Sequence, residues 1–489
     1  MNEIRDKILT LLNTENNIRS TYIALERLIF VMLADYIEKQ EKEFYFYNSN
    51  IDKYDAYAPM GFDQFEGKTV FEFKFVRSQS ASLHIIRNII SRTISFKDEI
   101  ENLIIVFIGE MSKTCTRYIK SIKDDLDFNI TVWSIEDLLV IFSHNIELFN
   151  NTYSNLNTVI VKETINRGIQ NVSNQSNQKN DEHIKKLSEK YKDDKVVLFL
   201  GSGVSKDAGI STWNELISNL YVKLVNTELE KVGINISASV KKEIVENLIE
   251  QNNSSPLLQA RFLRQGFADD FEKVLSDSMY NNLKKTSNLI DEIVRLCMPN
   301  RGKVGIQAIV NYNFDDLIEQ SLQKSRIKFN SVYNEGVIVS NDELGIYHVH
   351  GFLPQNREEY HNISKSLLVF SEEGYHKLML EPYNWANITQ LNYLINNTCV
   401  FIGLSMTDPN LRRLLEISAQ KHTEGEIFSN HYTIMKRDKF GTVGSSSEIK
   451  KFESVNESMQ ESIYRELGVN VIWIDSYSEI PNILKKIKE

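Results

Sequence analysis

The chain has 489 residues, 42% of them hydrophobic and 25% charged, which is ordinary for a folded soluble protein and too long for a single core. Only 20 glycines and 7 prolines point to long helices and few tight turns, and exclude collagenous or disordered chains. The formal net charge of -10 is spread along the chain: residues 1–163 carry 18 Lys+Arg against 24 Asp+Glu, the remainder 38 against 42. Neither part offers long-range attraction to nucleic acid or anionic lipid, so nucleic-acid binding is not supported by charge.

Cys115, Cys297 and Cys399 are widely separated, with no CxxC pair. No four-thiolate zinc site can form, and a disulfide framework is not expected. The apolar run Leu28–Ala34 is far short of the roughly 20 residues a membrane span needs. The first residues, Met-Asn-Glu-Ile-Arg-Asp, lack a cationic-then-apolar signal pattern. The expected location is cytoplasmic, without membrane or zinc.

In chain order, the spacing of apolar residues predicts a helix over 20–40, followed by a half-buried strand over 70–76, where residue types alternate. The continuous run Leu103–Ile108 reads as a central strand, 130–133 as another, and a helix follows from Ile135. The Asn-, Gln- and Ser-rich stretch 170–186 has too little apolar surface to repay ordering, which suggests a linker over 164–186 between domains at 1–163 and 187–489. Beyond it come strands at 195–200, 304–311, 345–350, 399–402, 432–435 and 469–474, with a helical insert at about 222–300. Strands alternating with helices imply an α/β fold with a doubly wound parallel sheet.

The strand at 195–200 runs into Gly201-Ser202-Gly203-Val-Ser205, and glycines at such a turn let a pyrophosphate approach the backbone. The string Gly201–Trp213, with Gly209 inside it, resembles the opening motif of the sirtuin family. Asn311-Tyr-Asn313-Phe-Asp315 stands where sirtuins carry TQNxD, Val349-His350-Gly351 matches their His-Gly pair, and Gly403-Leu-Ser405 matches a late Gly-x-Ser loop, with Asp408-Pro409 behind it. The likeness is strongest to sirtuin-like domains of bacterial antiphage defence proteins, where a segment like Phe370–Tyr375 recurs. It implies a Rossmann-like, sirtuin-type domain that takes NAD+ as substrate. Asn313, His350 and Asp315 are then catalytic, and Gly201, Ser202, Gly203, Ser205, Gly209, Trp213, Gly403, Ser405 and Asp408 hold NAD. His348, two residues before His350, is the comparison position expected to matter far less.

Near the N-terminus, Pro59-Met-Gly-Phe-Asp63 followed by Glu72-Phe-Lys74 resembles the PD-(D/E)xK signature of restriction-endonuclease-like (Mrr-like) folds. The resemblance implies Mg2+ held by Asp63 and Glu72, Lys74 beside it, and Glu26 as an extra carboxylate.

The absent zinc cysteines, and Trp213-Asn214 where the family has Phe-Arg, weigh against protein deacylation. The expected function is NAD+ hydrolysis to nicotinamide and ADP-ribose, depleting NAD during phage infection. The alternatives are a sirtuin-type deacylase or ADP-ribosyltransferase, a Mg2+-dependent DNA nuclease with a nucleotide-sensing half, and a non-enzymatic binding subunit. An enzyme that consumes NAD inside its own cell needs restraint, so a homo-oligomer and a partner protein or phage-derived activator are expected.

Overall fold

The computed structural model describes residues 2–13, 18–46, 54–75, 82–96, 100–109, 111–155, 175–193, 195–234, 237, 239–240, 243–244, 247, 256–284, 287–298, 305–421, 430–440 and 447–489. They form two compact units, one of Met1–Lys179, Ala419–Ser429 and Asp438–Gly468, the other of Asn180–Ser418, Asn430–Arg437 and Val469–Glu489. The Ser447–Glu466 helix therefore groups with the first unit and interrupts the domain expected at 187–489. Among the described residues, no helix is long and apolar enough to cross a membrane.

The first unit is built on a five-stranded sheet with a two-stranded hairpin beside it. The strands are β1 (Tyr45–Phe46), β2 (Ala56–Ala58), β3 (Gly61–Phe62), β4 (Phe65–Glu66), β5 (Thr69–Phe75), β6 (Asn102–Ile108) and β7 (Asn129–Trp133). The sheet order is β1-β2-β5-β6-β7, antiparallel as far as β5 and parallel beyond it, while β3 and β4 form the hairpin. Alternation in β5 does not mean a half-buried strand, because every residue from Thr69 to Phe75 is buried. Phe71, Phe73 and Phe75 join the core that the Ile18–Glu38 helix covers, whereas Val70 joins the core under the Ser82–Phe96 helix. Glu72 and Lys74 share the Val70 face, so a strand that looks amphipathic buries its charges.

The second unit carries seven strands, β8 (Val196–Leu200), β9 (Ile306–Asn311), β10 (Phe329–Val332), β11 (Leu344–His348), β12 (Thr398–Ile402), β13 (His431–Lys436) and β14 (Val469–Ile474). All neighbours pair in parallel in the order β10-β11-β9-β8-β12-β13-β14. The doubly wound sheet expected from alternating strands and helices is therefore present. The central strands β8 and β12 are buried throughout and, apart from Thr398 at the start of β12, apolar, as strands covered on both faces tend to be. Edge strand β10 has no such signature: Phe-Asn-Ser-Val is mixed and only partly buried. Between β8 and β9 the described residues are mainly helical, including Trp213–Lys231, Pro256–Phe267, Phe271–Tyr280 and Asn288–Cys297.

The linker expected at 164–186 needs correction over its second half. Gln175–Lys192 is a helix, and Ile184, Leu187 and Tyr191 enter the sheet's core from it. Three apolar residues at helical spacing suffice to anchor a segment whose composition is otherwise polar. Residues 164–174 lie outside the described residues.

Candidate active site

Strand β8 lies between β9 and β12, so the sheet changes winding direction at β8 and β12. Open parallel sheets bind ligands at the carboxyl ends of strands at such a point. There the loop after β8 meets the loop after β12: Gly201 N donates to Ile402 O at 3.0 Å, and Gly203 N donates to Gly403 O at 3.0 Å. Gly403 has φ 68°, and a Cβ on it would stand 2.6 Å from Val204 N. The position excludes any side chain, both by conformation and by the closeness of the loops.

Asn313 follows β9 and reaches across to the first loop. Its Nδ2 donates to Gly201 O at 3.0 Å and to Ser205 Oγ at 3.1 Å, while its backbone N donates to Asn311 Oδ1 at 3.1 Å. Asp315 is buried beside it and accepts from Leu317 N at 3.2 Å. Burial raises its carboxyl to about 6, against the opposing hydrogen bonds from Ser205 and Leu317. Asp316 is used structurally, accepting from the Tyr280 hydroxyl at 3.0 Å and from Gln355 N at 3.1 Å.

His350 follows β11 and is 6% exposed. Its ring lies 4.4 Å from that of Tyr312 and 5.5 Å from that of Tyr375, and its Nε2 stands 3.6 Å from Asp408 Oδ2. Burial pushes its pKa below the usual histidine value, and the Asp408 charge opposes that shift. A neutral imidazole beside a carboxylate is a proton acceptor near neutral pH.

The fold thus joins Gly201, Ser205, Asn313 and Asp315 into one cluster, and His350 and Asp408 into another at neighbouring strand ends. Ser202 and Ser405 occupy exposed loop positions, Ser405 Oγ lying 2.7 Å from Thr407 Oγ1. Trp213 packs its ring onto Phe370 at 4.7 Å. Gly209, with φ 95°, lines a cleft of about 560 Å³ with Lys206, Ile210, Ser211 and Glu215. The residues that the sequence reading missed are Tyr312, Tyr375 and Glu319. Glu319 and Tyr375 lie on helices that come to the strand ends only in the folded chain, and no spacing along the sequence marks their partners His348 and Asp408.

His348 is not a neutral comparison position. Its Nε2 lies 2.6 Å from Glu319 Oε1, and its Nδ1 lies 3.1 Å from Asn313 O.

In the first unit, Asp63 and Glu72 are not brought together. Asp63 is exposed at the tip of the β3–β4 hairpin, with φ 43°, and accepts from the Tyr36 hydroxyl at 2.8 Å and from Gln40 Nε2 at 3.0 Å. The residue beside Glu72 is Asp55, because Ala56 pairs with Phe71 across antiparallel strands and Asp55 stands next in register. Lys74 Nζ lies 3.3 Å from Asp55 Oδ2 and 2.9 Å from Glu72 Oε2, and Arg92 also pairs with Glu72. Burial opposes the Lys74 charge, yet Asp55 and Glu72 hold its pKa above the usual lysine value. Glu26 is buried in the Ile18–Glu38 helix. Among the described residues, no group of three or more His, Cys, Asp and Glu is arranged to hold a metal ion.

Residues 307–462 match the family described as SIR2-like domain. Relatives of the chain include the NAD(+) hydrolase ThsA of Enterococcus faecium, 25% identical over 317 residues, 63% of this chain and 58% of that protein. The NAD(+) hydrolases ThsA of Bacillus cereus and Acinetobacter baumannii are 21% and 22% identical, over 62% of this chain and 56% and 55% of theirs. The chain thus spans little more than half the length of these relatives. Asn313, His350 and Asp408 lie within the SIR2-like match, while the Gly201 loop precedes it.

Proposed function

We propose that the chain hydrolyses NAD+ to nicotinamide and ADP-ribose, and that this reaction serves antiphage defence by depleting NAD. The observation that carries the reading is that Asn313 and Asp315 after β9, with Asn313 bonded to the Gly201 loop, and His350 after the adjacent parallel strand β11 stand at the carboxyl ends of the sheet, next to the point where it changes direction. The names of the ThsA relatives support the same chemistry.

In this reaction the bond from ribose C1′ to the nicotinamide nitrogen breaks, and its electron pair neutralises the pyridinium. Water adds at C1′ and gives up a proton. The glycine loops approach the pyrophosphate without a side chain between, Asn313 orients a ribose hydroxyl or the water without adding charge, and neutral His350 takes the proton. Ser202 and Ser405 offer hydroxyls to phosphate or ribose oxygens, Ser205 holds Asn313 and Asp315 in place with its own, and Trp213 closes the end of the loop.

Asn313 and His350 are both buried, which gives restraint a physical form: NAD reaches them only when the surrounding loops part. Assembly into an oligomer, or an activator that favours the parted state, would switch such an enzyme on in the cytoplasm. Purified chain given NAD, with and without lysate from phage-challenged cells, should release nicotinamide and ADP-ribose in equal amounts. A product carried on a protein acceptor would instead favour the transferase or deacylase alternative.

A second reading attaches to the first unit, where Asp55 and Glu72 converge on one cationic centre at Lys74. Two converging carboxylates fit Mg2+, which would supply Lewis acidity for phosphodiester cleavage, with Asp55 and Glu72 holding it in place of the Asp63–Glu72 pair. Mg2+-dependent DNA cleavage that is lost in Asp55→Asn and kept in Asp63→Asn is the result this reading requires.

A further inference from the structure

Asp408 is held from both ends. Its Oδ1 accepts from Leu411 N at 2.7 Å and so caps the Pro409–Lys421 helix, while its Oδ2 accepts from the Tyr375 hydroxyl at 2.6 Å. Burial and the Asp408 charge hold the Tyr375 pKa well above the ordinary tyrosine value, so its hydroxyl remains a donor. The same Oδ2 is the atom that faces His350 Nε2 at 3.6 Å, and that nitrogen is buried with no hydrogen-bond partner among the described residues. His350 is thus enclosed by Tyr312 from the segment after β9, Tyr375 from the Glu372–Leu380 helix and Asp408 from the loop after β12. Among these only Asp408 brings charge.

We infer that Asp408 is the positioning partner of His350, anchored by Tyr375, and not a contact to NAD. The positive charge of a protonated imidazole spreads over both nitrogens, so a carboxylate facing Nε2 stabilises the protonated ring whichever nitrogen received the proton. Tyr375 moderates this, because its donated hydrogen bond draws charge from the oxygen that His350 faces. The carboxylate works through His350, and its distance to the ring sets how readily the ring accepts a proton.

The inference rests on the NAD reading only for its kinetic consequence, and one measurement is independent of turnover. In the full chain, the His350 ring is titrated by NMR in three forms: unsubstituted, Asp408→Asn and Tyr375→Phe. Asn keeps an oxygen to cap Leu411, so the helix start is preserved, and Tyr375→Phe is the second variant should that helix fail. Asp408→Asn should lower the pH at which His350 titrates, and Tyr375→Phe should raise it. Damage to packing alone has no reason to move the two in opposite directions. In nicotinamide release, Asp408→Asn should lower kcat by roughly 10–100-fold and leave KM near that of the unsubstituted chain. Shifts of the same sign in both variants, or a titration that neither variant moves, overturn the pairing. A raised KM at unchanged kcat in Asp408→Asn returns Asp408 to NAD contact and overturns it too. If the unsubstituted chain releases no nicotinamide, the NAD reading fails, while the His350 titrations still decide the pairing.

Discussion

His348 and Glu319 hold one proton between them beneath the Asn313 segment. Nδ1 of His348 faces the Asn313 carbonyl, which can only accept, so that nitrogen carries hydrogen. Nε2 lies 2.6 Å from Glu319 Oε1, and a contact that short between two acceptors requires a proton in between. Ser331 Oγ donates to the same carboxylate oxygen at 3.1 Å. Two side chains with almost no exposure thus fix the backbone from which Asn313 reaches Gly201.

His348→Ala is therefore expected to be costly, contrary to its expected role as a mild control. Breaking one half of a buried pair costs roughly 3–5 kcal/mol. Urea unfolding of His348→Ala and Glu319→Gln should show a large loss in the first and a smaller one in the second, since Gln can still donate to Nε2. Equal stability of His348→Ala and the unsubstituted chain would refute the pair.

Asp315 links stability to pH. Its folded value of about 6 exceeds the ordinary carboxylate value of 3.8, so the folded state binds the proton more tightly. Its contribution is fully present below about pH 4 and is lost as pH rises through about 6, on the order of 2–3 kcal/mol. Asp315→Asn removes that loss. The difference in Tm between the variant and the unsubstituted chain should shift in the variant's favour between pH 4 and pH 7, and a difference independent of pH would contradict the burial argument.

In the first unit the ranking of two aspartates reverses the sequence expectation. Asp55→Ala leaves Lys74 short of a partner in a buried network and should cost roughly 3–5 kcal/mol. Asp63→Ala removes an exposed hairpin-tip side chain and should stay within about 1 kcal/mol. Thermal melts of the two variants decide the order.

Gly403→Ala tests the contact of the two loops. With φ 68° and Val204 N only 2.6 Å from the added carbon, the loop must shift at a strain of roughly 1–3 kcal/mol. NAD affinity measured in a His350→Ala background should fall at least tenfold on adding the change, corresponding to about 1.4 kcal/mol. Unchanged affinity would place the pyrophosphate elsewhere.

What could be read in the sequence follows a physical division. Gly201, Asn313, His350 and Gly403 stand at the ends of parallel strands, and an apolar run that stops at a glycine or a polar residue is a local signal. Asp55 was missed because its relation to Glu72 is made by antiparallel register, which no spacing along the chain displays. Asp63 looked right because it sat close in sequence, yet the β3–β4 hairpin turns it outward. Glu319 and Tyr375 come from helices that approach the strand ends in three dimensions, and their partners His348 and Asp408 lie 29 and 33 residues away. Residues 175–186 read as linker because their polar composition outweighs Ile184, while the other two anchors of the same helix, Leu187 and Tyr191, stand beyond that stretch.

The central claim is that the Asn313–His350 site consumes NAD. Its most direct test is the NAD and nicotinamide content of cells making the full chain, His350→Ala or Asn313→Ala, followed through phage challenge. The account predicts that NAD falls and nicotinamide rises with the unsubstituted chain alone, while both variants, made at equal level, keep NAD at its starting value. Equal NAD loss in all three, or no loss with the unsubstituted chain, would contradict it.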